Sequence, residues 1–391
     1  MTSSSSTTGI TESGSADLSR FSIPALTGSA TTYLNSGATG PSSQYILEEM
    51  RRADEQFSAS YLQGARLFGL LGDLAGRART SVAELLNAGP GEVALTQNTS
   101  NGISLAVAGI DWSAGDEVIS TTAEHPGGLL PLYELRDRYG VEVRLIEPPV
   151  TPERIEAAMT DRTRLVSLSH VLYTDGAVVP LKEICALARS RNVLTLVDGA
   201  QSAGNIGIDV HDLGVDLYAV TGHKWLLGPE GIGALYVRPG VEAHTTNLGF
   251  ATLSDPAAFD PSSGGPYWSG ARRFEGSTIN PALAAGLAAA ANAANLRGPE
   301  QYDEIQSRAD YLTRRLAALT DINIHSPRPA ESGLVAFSVR GMESTQVVSE
   351  LLQQDFVLRY VPQPYLYVRA STHLFNTTAE LDALVNAVSR L

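Results

Sequence analysis

Thr221-Gly222-His223-Lys224-Trp225 follows the apolar run Val215-Asp216-Leu217-Tyr218-Ala219-Val220 and precedes the glycine-rich Leu227-Gly228-Pro229-Glu230-Gly231-Ile232-Gly233. A lysine at the mouth of a strand, beside a histidine and a hydroxyl and among glycines that let backbone approach a ligand closely, suits a Schiff-base amine. Lys224 is therefore the first candidate for a reacting group, although the pentapeptide alone also fits an ordinary surface lysine. Just upstream, Val193-Leu194-Thr195-Leu196-Val197-Asp198-Gly199-Ala200-Gln201-Ser202 reads as a β-branched strand ending in an aspartate. Open α/β sheets place ligand-binding side chains at that end of a strand.

Working outward, the same strand-loop-helix rhythm begins near Glu92. Val93–Thr96 reads as a strand, residues 97–102 as a loop, and Ile103–Ala108 as the start of a helix. The backbone N–H groups of a helix N-terminus, with the hydroxyls of Thr99 and Ser100, suit a phosphate cradle, and plain helix capping accounts for the same two residues. Glu117–Ser120 runs into Thr121-Thr122-Ala123-Glu124-His125-Pro126, which holds His125 rigidly after a strand. Val141–Ile146 and Leu165–Val171 supply further strands, with helical spacing at Pro152–Met159 and Leu181–Ser190. This alternation predicts a mainly parallel sheet with helices on both faces. Leu47–Asn87 has helical spacing. Cys185 sits among Ile184, Leu187 and Ala188 and reads as a buried, inert thiol.

The ordered motifs Asp198-Gly199-Ala200-Gln201-Ser202, Thr221-Gly222-His223-Lys224 and Gly228–Tyr236 resemble those of the class V aminotransferase-like group of fold-type I enzymes, which use pyridoxal 5'-phosphate (PLP). Within that group the chain is most similar to cysteine desulfurases and cystine carbon-sulfur lyases, in order from about Tyr33 to the C-terminus. The resemblance implies an α/β fold, with a large PLP-binding domain at 46–280 and a smaller α+β C-terminal domain at 281–391. A segment at 21–45 would join the small domain to the active site, and residues 1–20, rich in Ser, Thr and Gly, read as a mobile tail.

By the same resemblance Lys224 binds PLP covalently and then acts as the base at the substrate's α-carbon, and Asp198 pairs with the ring nitrogen. Gln201 meets the ring oxygen, and His125 lies against the ring. Thr99, Ser100, Thr221 and His223 hold the phosphate, and Thr278 reaches the phosphate of a partner subunit, making a homodimer. Ser277 and Thr278 also fit a simple helix cap. Arg369, in Arg369-Ala370-Ser371, maps to the substrate-carboxylate arginine, whose planar fork suits two-point contact. A structural ion pair is the competing reading. Arg359 is a candidate for a second charged group on the substrate, and Asn35, in the turn-like Asn35-Ser36-Gly37, for the segment folded over the site.

Two departures bear on substrate. Desulfurases carry an asparagine three residues past the histidine matched by His170, whereas this chain has Tyr173, which either donates to a ligand or packs as a plain aromatic. They also place a reactive cysteine on the loop that here spans Tyr360–Tyr365, and this chain has none there. The expectation is therefore a PLP-dependent carbon-sulfur β-lyase acting on cystine or a cysteine S-conjugate. Aminotransfer or epimerisation in a biosynthetic pathway, or a desulfurase without an on-protein persulfide, are the alternatives.

The composition is compatible. The chain has 391 residues, 43% hydrophobic and 18% charged, enough for two domains. A net charge of -14 with no basic stripe argues against a nucleic-acid partner. No apolar run approaches a membrane span, and the N-terminus lacks a signal-peptide pattern, so a cytoplasmic enzyme with a small amino-acid substrate is expected. A single cysteine excludes internal disulfides and cysteine-based metal clusters.

Overall fold

The computed structural model describes residues 22–391, so the expected tail at 1–20 and the first residue of the 21–45 segment lie outside the described residues. The short strand β1 (Thr32–Tyr33) leads into two helices, α1 (Gln44–Ser60) and α2 (Arg66–Leu86). Strand and helix then alternate through β2 (Val93–Thr96), α3 (Thr99–Ala108), β3 (Glu117–Thr121), α4 (Pro126–Tyr139) and β4 (Glu142–Ile146). The pattern continues with α5 (Pro152–Ala158), β5 (Thr163–Ser169), α6 (Leu181–Ser190), β6 (Leu194–Asp198), α7 (Val210–Leu213), β7 (Leu217–Thr221) and β8 (Gly233–Val237).

These strands form one seven-stranded sheet in the order β2-β8-β7-β6-β5-β3-β4. Neighbours from β7 across to β4 are parallel, and β8 runs antiparallel to β7 and β2. Their apolar runs bury both faces. Along β7, Leu217 and Ala219 pack with Ile103 of α3 and Leu132 of α4, while Tyr218 and Val220 face a second layer that holds Leu74 of α2 and Ile184 of α6. A strand buried on both faces reads as a continuous hydrophobic run, which is why Val215–Val220 shows no polar alternation.

The smaller unit contains α9 (Glu300–Ala317), β9 (Ile322–Ile324), β10 (Leu334–Val339), α10 (Ser344–Leu352), β11 (Phe356–Val357), β12 (Arg359–Tyr360), β13 (Val368–Ser371) and α11 (Thr378–Val388). Its antiparallel sheet, ordered β12-β13-β10-β9, packs against these helices in a separate core. The N-terminal segment joins that core: β1 pairs in parallel with β11, and Leu34 is fully buried in it.

Two expected boundaries are corrected. The helix α8 (Pro281–Arg297) does not open the small domain at 281; its alanines 284, 285, 288–291 and 294 fill the large-domain core, beside α1 and α2. Small side chains let three helices approach closely there, so the transition falls after α8. Helix α3 begins at Thr99, not Ile103, because the Asn98 side chain accepts a hydrogen bond from Asn101 N and caps it.

The loop that carries Thr278 is anchored through Glu275, which takes a two-point contact from Arg79 of α2 and accepts from Leu95 N, all of it buried. Replacing Glu275 with alanine would leave the Arg79 guanidinium buried and unpaired. We expect a loss of about 3–5 kcal/mol of stability, measured by denaturant unfolding.

Candidate active site

Thr121, Ser169, Asp198 and Thr221 end β3, β5, β6 and β7 at one edge of the sheet. The turns leaving that edge bring Thr99, Ser100, His125, Asp198, Thr221, His223, Lys224 and Arg359 around one cavity of about 280 Å³. Residues more than 250 positions apart thus meet where a mainly parallel sheet collects its ligands.

Lys224 and Asp198 keep partial exposure because they line the cavity, yet burial dominates their ionisation. Burial pushes the Lys224 pKa down to about 8, with Arg369 and Arg359 adding to the fall and Asp198 opposing it. Burial likewise raises the Asp198 carboxyl, and Lys224 counters. Asp198 Oδ1 accepts from Ala200 N, which fixes the carboxylate at the strand end.

His125 caps α4, its Nδ1 accepting from Gly127 N at 3.1 Å. The ring proton therefore sits on Nε2. Burial first, then the cations Lys224, Arg359 and Arg369, push its pKa down to about 4, so the imidazole is neutral at pH 7. Tyr173 meets it edge to face at 5.4 Å.

The cradle expected at α3 has an open acceptor and donor. Because Asn98 does the capping, Thr99 is spared that role, and its buried Oγ1 has no hydrogen-bond partner within the protein. Thr221 Oγ1 and His223 Nδ1 lie 2.8 Å apart on the opposite wall. Hydroxyls at a helix N-terminus with an unmet polar atom fit an anion such as a phosphate.

Arg369 is buried at 1% exposure, donates from Nη1 to Tyr173 O at 2.7 Å, and has no partner for Nε or Nη2. No acidic side chain pairs with it, so the ion-pair reading of this arginine does not hold among the described residues. Arg359 lies directly across the β12–β13 ladder from Arg369. Like charges set opposite one another disfavour the sheet unless an anion lies between or beside them. Gly37 keeps space open there: a Cβ on it would stand 2.8 Å from Ser371 Oγ and 3.2 Å from Arg369 Nη2. Asn35 Oδ1, from the same segment, is also buried without a partner.

Gln201 sits beneath this region with both amide atoms engaged. Its Nε2 donates to Gly37 O at 2.9 Å, and its Oε1 accepts from Trp225 Nε1 at 2.8 Å. One Nε2 hydrogen remains for a ligand. Thr278 is not brought to the cavity; it lines a separate groove with Phe68, Phe250, Trp268 and Arg272.

Asn98, Ala38 and Ala200 also line the cavity without having been singled out in the sequence. Asn98 had a readable signal, an Asx residue three before Asn101. The Tyr360–Tyr365 loop, noted in the sequence for its lack of a thiol, reaches the site through Tyr365: its hydroxyl lies 3.5 Å from Thr122 Oγ1, carrying the small-domain loop across to the turn before His125.

Comparison with known proteins agrees with this geometry. The aminotransferase class-V model matches residues 32–384, and the chain belongs to that family, whose enzymes are PLP-dependent. It is 30% identical over 376 residues to a probable cysteine desulfurase of Methanothermobacter thermautotrophicus, covering 90% of this chain and 92% of that one. It is 32% identical to the cysteine desulfurase CsdA of Escherichia coli, covering 95% and 96%. Among solved structures, the complex of the cystine C-S lyase C-DES with its reaction product cysteine persulfide superposes with a TM-score of 0.88 at 30% identity, covering 94% and 99%. A lysine-to-alanine mutant of C-DES with glycine covalently linked to its PLP cofactor gives 0.88 at 29% identity, covering 96% and 99%.

Proposed function

We propose that the protein is a PLP-dependent carbon-sulfur β-lyase that acts on cystine or a cysteine S-conjugate and releases pyruvate, ammonia and a thiol or persulfide. One observation carries this reading. The loop between Tyr360 and Tyr365 presents tyrosine and proline and no thiol, and Tyr365 closes it onto Thr122. The one cysteine, Cys185, is buried in the core and burial pushes its thiol up to about 12. With no reactive thiol to accept sulfur, the sulfur leaves with the product. Incubation of the holoenzyme with cystine, cysteine and several S-substituted cysteines tests it. Pyruvate from at least one is expected; none from any would overturn the reading.

PLP, when bound, supplies a ring that accepts electrons from the bonds of an amino acid's α-carbon. Asp198 would hold a proton at the ring nitrogen. Thr99, Ser100, the α3 N-terminus, Thr221 and His223 take the phosphate, with Thr278 contributed by the partner of a homodimer. Lys224 would hold the cofactor's aldehyde carbon and would serve as the base for the α-proton, a role matched to an amine titrating at about 8. Arg369 takes the substrate's α-carboxylate, and Arg359 takes a second carboxylate such as the distal one of cystine. Asn35 and Tyr173 would border the substrate, and neutral His125 would flank the cofactor ring. We place the enzyme in the cytoplasm; no described helix is long and apolar enough to cross a membrane.

The cradle gives a direct check. Thr99→Val keeps the shape but removes the unpaired hydroxyl, so the Kd for PLP is expected to rise about tenfold, the worth of one hydrogen bond to a charged group. Fluorescence titration of apoprotein reads it.

A further inference from the structure

Glu124 precedes His125 and is 5% exposed, with no lysine, arginine or histidine paired to it among the described residues. Thr121 Oγ1 accepts from Ala123 N and donates to Glu124 Oε1 at 2.9 Å, so that oxygen is an acceptor. Glu124 Oε2 meets Ser169 Oγ, and Ser169 is the register neighbour of Asp198 on the adjacent strand. Gly128 adjoins both acids: a Cβ built there would stand 4.0 Å from Glu124 Cβ and 3.9 Å from Asp198 Oδ2.

Two buried carboxyl groups flanking one glycine disfavour ionising together, and the one without a cation is the one to keep a proton. Asp198 faces Lys224; Glu124 faces the hydroxyls of Thr121 and Ser169, the backbone N–H of Ser169, the phenol of Tyr173 and the Asp198 charge, and no cation among them. We propose that Glu124 is the proton-holding partner of Asp198: its carboxyl carries a proton while Asp198 is the sole anion, and releases it to solvent when a cationic ring nitrogen settles against Asp198. Glu124 is a positioning residue in this scheme, setting the charge that Asp198 presents. The inference rests on the PLP reading of the site and adds a residue to it. Burial, opposed by the hydrogen bonds from Ser169 and Thr121 and aided by Asp198, raises the Glu124 pKa to about 7 before a ligand binds, which places the release near neutral pH.

The sign follows from linkage. PLP prefers the form with Glu124 ionised, so affinity rises as pH passes upward through about 7 and levels off above it. Glu124→Gln has no proton to lose, and its amide can still bond both hydroxyls. Calorimetric reconstitution of the apoprotein at pH 7, in buffers of different ionisation enthalpy, is expected to show the wild type releasing about half a proton more per subunit than E124Q. Between pH 6 and pH 8 the wild-type Kd should fall about tenfold more than the variant's. Infrared difference spectra of wild-type protein with carboxyl-labelled glutamate provide a readout that needs no variant: a protonated glutamate band is lost on adding PLP. PLP bound with equal proton counts in both proteins, or no labelled band lost, overturns this inference alone. Failure of PLP to bind at all overturns the function proposed above.

Discussion

Lys224→Ala is expected to leave a folded protein that holds PLP without a covalent link and turns over substrate at least about 10³-fold more slowly. Two separate roles are removed at once, covalent anchoring and proton transfer at the α-carbon, and a positioned acid-base group alone contributes about 10²–10⁴-fold. The residual Asp198, Arg369 and helix N-terminus keep the binding geometry, so the loss falls on kcat. The wild type carries a matching pH signature. An amine titrating at about 8 is mostly protonated at pH 6, and only the neutral form attacks an aldehyde. The rate of covalent PLP uptake by apoprotein is therefore expected to rise about tenfold per pH unit up to about pH 8 and to flatten above it. Stopped-flow absorbance reads both arms, and an uptake rate independent of pH between 6 and 9 would contradict the buried amine.

Arg369→Lys is expected to lower kcat/KM by about 10²-fold, chiefly through KM. Lysine keeps the charge but offers a point donor on a flexible stem, where the guanidinium presents two unpaired, buried N–H directions held in place by the bond from Nη1 to Tyr173 O. Losing a buried charged hydrogen-bond pair costs about 2–5 kcal/mol. A mere stabilising arginine would instead show unchanged kinetics and a lowered melting temperature.

Much of this site was legible before any coordinates. Asp198, His125 and the Thr221–Lys224 turn each follow a short hydrophobic strand, so period and punctuation place them at one edge of a parallel sheet. Lys224, His125, Asp198 and the Thr99-Ser100 pair do meet there. What escaped reading has physical reasons. The segment Pro281–Arg297 is apolar all round, so its pattern has no stripe to say which core it fills. The start of α3 is set by one side-chain bond from Asn98, against turn-like Thr-Ser-Asn-Gly chemistry. The reach of Tyr365 to Thr122 spans 243 positions and leaves no local trace. Glu124 carried no reading in the sequence, because its burial depends on Thr121 and Ser169, which come together only when two strand ends meet.

Residues 32–40 do more than cover the cavity. At one end β1 is zipped to β11, Leu34 O accepts from Ser371 N, and Tyr33 O accepts from Asn376 Nδ2; at the other, Gly40 N donates to His223 O at 2.6 Å. A Cβ on Gly40 would stand 2.1 Å from Lys224 O, so nothing larger than glycine passes under that carbonyl. The Lys224 turn thus rests on a strap whose far end is stitched to the smaller domain. Shortening the gene to begin at residue 41 would excise only one candidate ligand, Asn35, yet it would also strip one of the ties between the lobes and the support beneath the lysine turn, leaving a looser fragment rather than a smaller enzyme.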